Sequence, residues 1–463
     1  MGIEAGIMVP HPPLIIPEVG KGGEKTISKT AAAYERAVSF IAGAAPETLI
    51  VISPHAAVYR DYFHISPGAR ASGSFANFGA PRAAVSVDYD AEFVSGLETL
   101  AEAGGLPAGT LGERLGELDH ATLVPLYFLE KTCGAIKAKV VRVAISGLPL
   151  TEHYRLGMLI KETAERLRRR TAIIASGDLS HRLKEDGPYG FNPEGPRYDA
   201  LVMDVMGRGA FGELFDFSEG FCESAGECGH RSFVVMAGAF DGTAVKAEPL
   251  SYEGPFGVGY GTCLFRAAGP DESRRFLTEF ADRERARRAA LKEKEDAYVR
   301  LARAAVETYV TSGKKIAVPA GLPAEMLSRR AGTFVSLKKD GRLRGCIGTI
   351  AAASPSVAAE IINNAISAAS SDPRFDPVER KELPQLVYSV DVLGETEKIG
   401  SAAELDVKRY GVIVTRGGRR GLLLPNLEGV DSIEEQISIA KEKAGIGKGE
   451  KAELERFEVV RHH

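Results

Sequence analysis

The sequence has no tryptophan and only five cysteines, Cys133, Cys222, Cys228, Cys263 and Cys346, scattered over 463 residues without a C-x-x-C pair. Such sparse cysteine argues against a disulfide framework and for a reducing compartment. No stretch approaches the ~18 uninterrupted apolar residues of a membrane span. The N-terminus, MGIEAGIMVPHPP, has neither the basic nor the long apolar segment of a secretory signal. It also lacks the Ser or Thr of a myristoylation motif. No charge sign dominates: 58 Lys and Arg face 62 Asp and Glu, a net −4. That excludes a global basic field for nucleic acid or anionic membrane. The expectation is a soluble cytoplasmic protein without internal repeats.

Histidine is scarce as well, and unevenly placed. Of the nine, seven precede residue 231 and two end the chain. Imidazole chemistry therefore belongs to the first part of the molecule, and the terminal His462-His463 read as a tail.

What is present suffices for real cores: 44% apolar and 26% charged residues. The length implies two or three domains. Residues 1–268 alternate strand and helix. Strands are expected at Ile3–Val9, Thr48–Ile52, Ala138–Ser146, Thr171–Ser176 and Gly257–Phe265. Helices are expected at Gly22–Ala42, Ala91–Ala103, His153–Arg169, Arg197–Gly207 and Arg231–Ala239. This is the pattern of an α/β layered domain with a mostly parallel sheet. Residues 269–294 are charged and, after Pro270, free of Gly and Pro, which suits a solvated helical linker. Residues 295–463 read as an α+β domain. Lys339-Asp-Gly341 joins the strand Thr333–Lys338 to one opening at Arg342. The helix Val357–Ser370, the strand Gln385–Leu393, a hairpin around Arg416–Arg420 and the helix Asp431–Ala444 follow.

Four histidines stand where chemistry is expected. His11, in Pro10-His-Pro12, and His55, in Ser53-Pro-His55, each follow an apolar strand. His181 ends Ser176-Gly-Asp-Leu-Ser-His181, again just past a strand. In a parallel sheet such ends lie on one edge, where ligands bind. His120 follows Asp119, a candidate helix N-cap. His64 reads as a structural strand residue, His153 as a surface residue opening a helix, and His230 stays undecided. Two imidazoles holding a divalent metal want a third donor. The turn Gly226-Glu-Cys228 offers Glu227, which would make an iron(II) site, or Cys228, which would suit zinc or copper. Spacing does not choose between them. Asp178 either orients His181 or caps a turn.

Val-Pro-His11-Pro-Pro, Ser-Pro-His55, Asp-His120-Ala-Thr-Leu-Val-Pro-Leu, Gly-Asp-Leu-Ser-His181 and Glu227-Cys-Gly resemble the LigB-like class III extradiol dioxygenases and their Memo relatives. The resemblance implies Fe(II) on His11 and His55, with Glu227 or Cys228 as third ligand. It implies His181 as general base toward an aromatic diol and His120 as a substrate- or oxygen-facing donor. The family's glutamate position falls on Cys228, with Glu227 beside it.

In the second domain, Arg342, Arg344 and Cys346 share a face by strand periodicity. A thiol near guanidinium groups can act as a nucleophile. Equally, Cys346 can be a small packing residue between glycines. Arg344, Asp372 and Arg374 form a candidate pocket for an anionic ligand. Leu343-Arg-Gly-Cys346-Ile-Gly-Thr349 and Ser371-Asp-Pro-Arg-Phe375 resemble the AMMECR family. The whole chain resembles the fused A-type proteins of the AmmeMemoRadiSam system, which implies Memo-like and radical-SAM protein partners.

Overall fold

The computed structural model describes residues 2–114, 116–427 and 429–463. The chain divides into two units, Met1–Asp282 and Arg283–His463.

The first unit is built on a six-stranded sheet. Its strands are β1 (Ile3–Val9), β2 (Thr48–Ser53), β5 (Lys139–Ala144), β6 (Thr171–Ser176), β7 (Thr243–Glu253) and β8 (Tyr260–Pro270), in the order β5-β2-β6-β1-β8-β7. The four strands from β5 to β1 are mutually parallel, and β8 and β7 join antiparallel at one edge. β3 (Arg70–Phe75) and β4 (Ala80–Asp88) form a separate hairpin. β2 and β6 are buried along their whole length and carry apolar side chains between polar ends, Thr48 and Ser53 in β2 and Thr171 and Ser176 in β6, because both faces are covered. Alternate residues of β2 enter opposite cores: Leu49 and Val51 pack with helices α1 (Ser28–Gly43) and α3 (His120–Cys133), while Ile50 and Ile52 pack on the other side. That other side is formed by α2 (Ala91–Ala103), α4 (Leu150–Arg166), α5 (Glu194–Arg208) and α6 (His230–Ala239).

The largely parallel sheet expected from the strand–helix alternation is present. Strand β7 and the β3–β4 hairpin have no counterpart in the sequence reading. Pro249 lies within β7, opposite Cys263 where the ladder shifts register. A proline demotes a run to non-strand unless the strand lies at an edge, and β7 is the edge.

Helix α7 (Phe276–Lys294) has no fully buried residue, and its charged side chains are spread around it without a continuous apolar stripe. The second unit contains α8 (Ala297–Ser312), α9 (Val357–Ser370), α10 (Ile433–Lys443) and two sheets. One sheet orders β10 (Arg342–Gly348), β9 (Thr333–Lys339), β11 (Leu386–Leu393) and β16 (Val459–His462). The other orders β12 (Glu397–Ile399), β15 (Glu453–Phe457), β13 (Gly411–Arg416) and β14 (Arg419–Leu423). His462 is not part of a loose tail. His462 pairs with Val390, stacks on Tyr298 at 3.8 Å and meets the Asp296 carboxylate through Nδ1. Among the described residues, no helix is long and apolar enough to cross a membrane.

Candidate metal centre

Parallel strands β2, β6 and β1 are neighbours, so their C-terminal ends emerge side by side. His55, His181 and His11 follow those three ends. Helix α3 begins at the same place with His120 as its first residue. The rings of His11 and His55 lie 4.9 Å apart, those of His11 and His120 5.3 Å, and those of His55 and His120 4.5 Å. One ligand atom from each of the three falls within 4.8 Å of the others. His11 is buried, His120 half-buried and His55 exposed, so the cluster closes inward and opens toward solvent.

Burial first, and then His55 and His120, push the His11 pKa well below 6.5. Burial followed by the His120 ring lowers His55. Burial lowers His120 against the pull of Asp119. Lowered values keep the rings neutral near pH 7, and a neutral imidazole is the form that binds a metal.

The backbone segments that carry the rings are fixed from behind. Asp119 caps α3 by accepting from Thr122 N at 3.0 Å and Thr122 Oγ1 at 2.8 Å. It also accepts from Ser53 Oγ at 2.6 Å, and the same Ser53 oxygen accepts the His55 amide at 3.1 Å. One carboxylate therefore steadies both His55 and His120. Asp119 is in turn 3.5 Å from the Arg142 guanidinium, which is 2% exposed and also donates to Ser66 Oγ and Glu117 O. This buried arginine in β5 has no signal in the sequence beyond a charge inside an apolar strand.

The loop after β6 and the turn bearing Cys228 touch backbone to backbone. A Cβ on Gly177 would stand 2.1 Å from the Gly229 Cα, so only glycine permits the approach. It brings Cys228 Sγ to 3.5 Å from His11 Nε2. The Asp178 amide donates to that sulfur at 3.3 Å, and Asp178 Oδ1 accepts the His11 amide at 2.7 Å. Asp178 thus orients His11, as well as lying within electrostatic reach of His181. Burial raises the Asp178 carboxyl and the Cys228 thiol. Glu227 points elsewhere: its Oε2 accepts the His230 amide at 2.6 Å at the start of α6. Burial brings its pKa up to about 7. Of the two candidate third donors, Cys228 is the one beside the imidazoles.

His181 lies close enough for its charge to act on His11 and His55. Its Nδ1 is buried and has no hydrogen-bond partner. Two exposed aromatics reach the site: Phe78 is 5.7 Å from the His120 ring, and Tyr189 is 5.3 Å from the His181 ring.

The other histidines take structural places. His64 is buried, with Nδ1 on Leu111 O at 3.1 Å. His153 is fully buried and not on the surface, because its Nε2 accepts the Ser146 amide at 3.2 Å while Nδ1 bonds Pro149 O at 3.1 Å. His230 is buried against Tyr198 and Leu214 O.

In the second unit, Asp372 joins two motifs. Its Oδ2 accepts the Cys346 amide at 2.8 Å and Arg374 Nη2 at 2.7 Å, and Arg374 Nη2 also bonds Cys346 O at 3.2 Å. Arg374 holds the Asp372 carboxyl far below its usual range. Ser336 Oγ donates to Cys346 Sγ at 3.2 Å. Arg344 is held differently, by Glu382, Asp376 O and Pro377 O. The β9–β10 ladder shifts register between Leu337 and Lys338, so Gly345 pairs with Leu337 and Leu343 with Lys338. That bulge breaks the simple alternation by which Arg342, Arg344 and Cys346 would share a face.

Residues 5–263 match the family described as the catalytic LigB subunit of aromatic ring-opening dioxygenase, and residues 299–462 match AMMECR1. A Clostridium acetobutylicum protein is 42% identical over 470 residues, covering 100% of this chain and 99% of that one. A Thermotoga maritima protein is 51% identical over 170 residues, 36% of this chain and 98% of its own. A Pyrococcus horikoshii crystal structure shares 34% identity over 36% of this chain and 90% of that one, with a TM-score of 0.34.

Proposed function

The chain belongs to the LigB family and carries an AMMECR1 domain after its LigB domain, and on that premise we propose that its first unit is a non-haem iron(II) centre of extradiol-dioxygenase type. The observation that carries this reading is the convergence of His11, His55 and His120 with their ligand atoms within 4.8 Å. Three neutral imidazoles fit a divalent first-row ion; iron, zinc and copper all accept them. His11, His55 and His120 would hold the ion, with Cys228 Sγ alongside. A bound iron(II) would supply a Lewis-acid and redox centre for an aromatic diol and dioxygen. The residues around it have separable tasks. His181, with a free buried nitrogen, would take the proton of the substrate hydroxyl. Phe78 and Tyr189 would flank a planar ring. Asp178 and Asp119 would hold the imidazoles still.

A second reading is favoured by the place of Cys228. A thiol beside the imidazoles, with Glu227 committed to α6, departs from the two-histidine, one-carboxylate arrangement. Under this reading the unit binds zinc or copper without cleaving rings, as part of a radical-SAM-linked modification pathway with a Memo-like partner. Five unpaired cysteines suit a reducing, cytoplasmic setting for either. In the second unit, Asp372, Arg374 and Cys346 would form a small anion-accepting pocket with the thiol at its edge, and Arg344 would brace it through Glu382.

The experiment is anaerobic metal analysis of the full chain followed by oxygen uptake with a panel of catechols. Stoichiometric iron with oxygen consumption supports the dioxygenase. Zinc or copper without turnover overturns it in favour of the second reading.

A further inference from the structure

A proline inside a helix usually costs a hydrogen bond, and in α3 that lost bond has a use. Pro125 lies within α3. In an unbroken helix, the amide of residue 125 would donate to the carbonyl four residues back, that of Ala121. Proline has no such hydrogen. The Ala121 carbonyl instead accepts Ser176 Oγ–H at 2.7 Å, from the end of β6. A hydroxyl carries one hydrogen, and a carbonyl can only accept. With its hydrogen committed to Ala121, Ser176 Oγ is left as an acceptor for His11 Nδ1, 3.0 Å away. The ring proton therefore sits on Nδ1. Nε2 keeps the lone pair, and Nε2 is the nitrogen that faces Cys228 Sγ at 3.5 Å. All three participants are shielded from water: Ser176 and Ala121 are fully buried and His11 is 2% exposed.

We infer that Pro125, Ala121 and Ser176 form a relay that fixes the tautomer of His11, so that Ser176 is a positioning residue for the metal site. The relay also ties β6 to the first turn of α3, and hence His11 to His120. Its bearing on metal affinity rests on the metal reading of His11; the tautomer itself does not. Ser53 provides an internal control. It sits level with Ser176 on the neighbouring strand, since Ile52 pairs with Ala175. It steadies Asp119 and the His55 amide but makes no bond to His11.

The test uses the full metal-free chain labelled with ¹⁵N at histidine. Long-range proton–nitrogen correlation spectra identify which His11 nitrogen is protonated, the signals being assigned by their loss in His11→Ala. Wild type should show Nδ1–H with a lone-pair-type Nε2. Ser176→Ala should shift His11 toward the other tautomer or a mixture, and weaken zinc(II) binding about 10–100-fold, the range for outer-shell partners. Ser53→Ala should weaken zinc binding while leaving the His11 pattern unchanged. Circular dichroism confirms that each variant is folded. Nε2–H in the wild type, or an unchanged Nδ1–H in Ser176→Ala, overturns the relay. Wild-type protein that binds no zinc or iron overturns the metal reading instead, so the two failures are distinguishable.

Discussion

Around His11, burial removes charge; around Glu382 and Asp372, burial is met by an opposite charge. In the first unit three imidazoles are pushed toward neutrality, and Asp178 and Cys228 are pushed toward their protonated forms. In the second unit Arg344 grips Glu382, Arg374 grips Asp372, and Arg303 grips Glu295. A buried ionisable group either finds a counter-charge or loses its own. The second unit supplies its counter-charges from its own chain. The first unit gathers lone pairs and weak acids around His11, a donor set that could hold a metal ion.

The largest test of this contrast is His11→Ala. It should lower zinc or iron affinity by more than the ~10–100-fold of an outer-shell change, measured by anaerobic titration, and leave the second unit's unfolding unaltered. Next is Arg142→Met. Here the first unit does contain a buried cation, but one placed behind the imidazoles, on Asp119, Ser66 and Glu117 O. Its removal should cost about 3 kcal/mol of first-unit stability in denaturant titration and also loosen metal binding.

Glu382→Gln probes the other side of the comparison. Burial raises the Glu382 carboxyl, but hydrogen bonds from Arg344, the Glu379 amide and Lys339 outweigh it and bring the pKa from 4.5 to about 2. A depressed carboxylate contributes stability above its unfolded value, and that contribution is lost as pH falls through the window from 4.5 to about 2. The shift, discounted for partial exposure, corresponds to about 2 kcal/mol. Wild type should lose this increment on acidification and Glu382→Gln should lack it at pH 7; equal acid sensitivity in the two would remove the second half of the contrast. The smallest effect is expected for Arg420→Ala, which breaks an exposed pair with Glu455; melting should show roughly 0.5 kcal/mol or less.

Much of this was legible in the sequence, for identifiable reasons. Strands with both faces buried announce themselves as unbroken apolar runs, so Thr48–Ile52 and Thr171–Ser176 could be placed, and His55 and His181 with them. The edge strand β7 was hidden by Pro249 and by its half-exposed faces. The three-histidine cluster was only half visible: period and spacing do not reveal that α3 starts at the sheet edge and delivers His120 into contact with His11 and His55. The separation of Glu227 from Cys228 is a matter of which way adjacent side chains turn at a helix start, and adjacent residues carry the same sequence signal. His153 reads as solvent-facing because a polar residue in a helix's first turn shows its burial only through its partners, here Ser146 and Pro149. Ser176 and Pro125 looked like ordinary motif residues, and their connection exists only in three dimensions.

The central claim is that His11, His55 and His120 hold one metal ion in the first unit. Its most direct test is anaerobic titration of the metal-free full chain with iron(II) and zinc(II), followed by calorimetry and by separate unfolding of the two units. The account predicts one equivalent bound, a raised melting temperature confined to the first unit, and loss of both in a His11→Ala, His55→Ala, His120→Ala triple variant. Undiminished stoichiometric binding in that variant would contradict it.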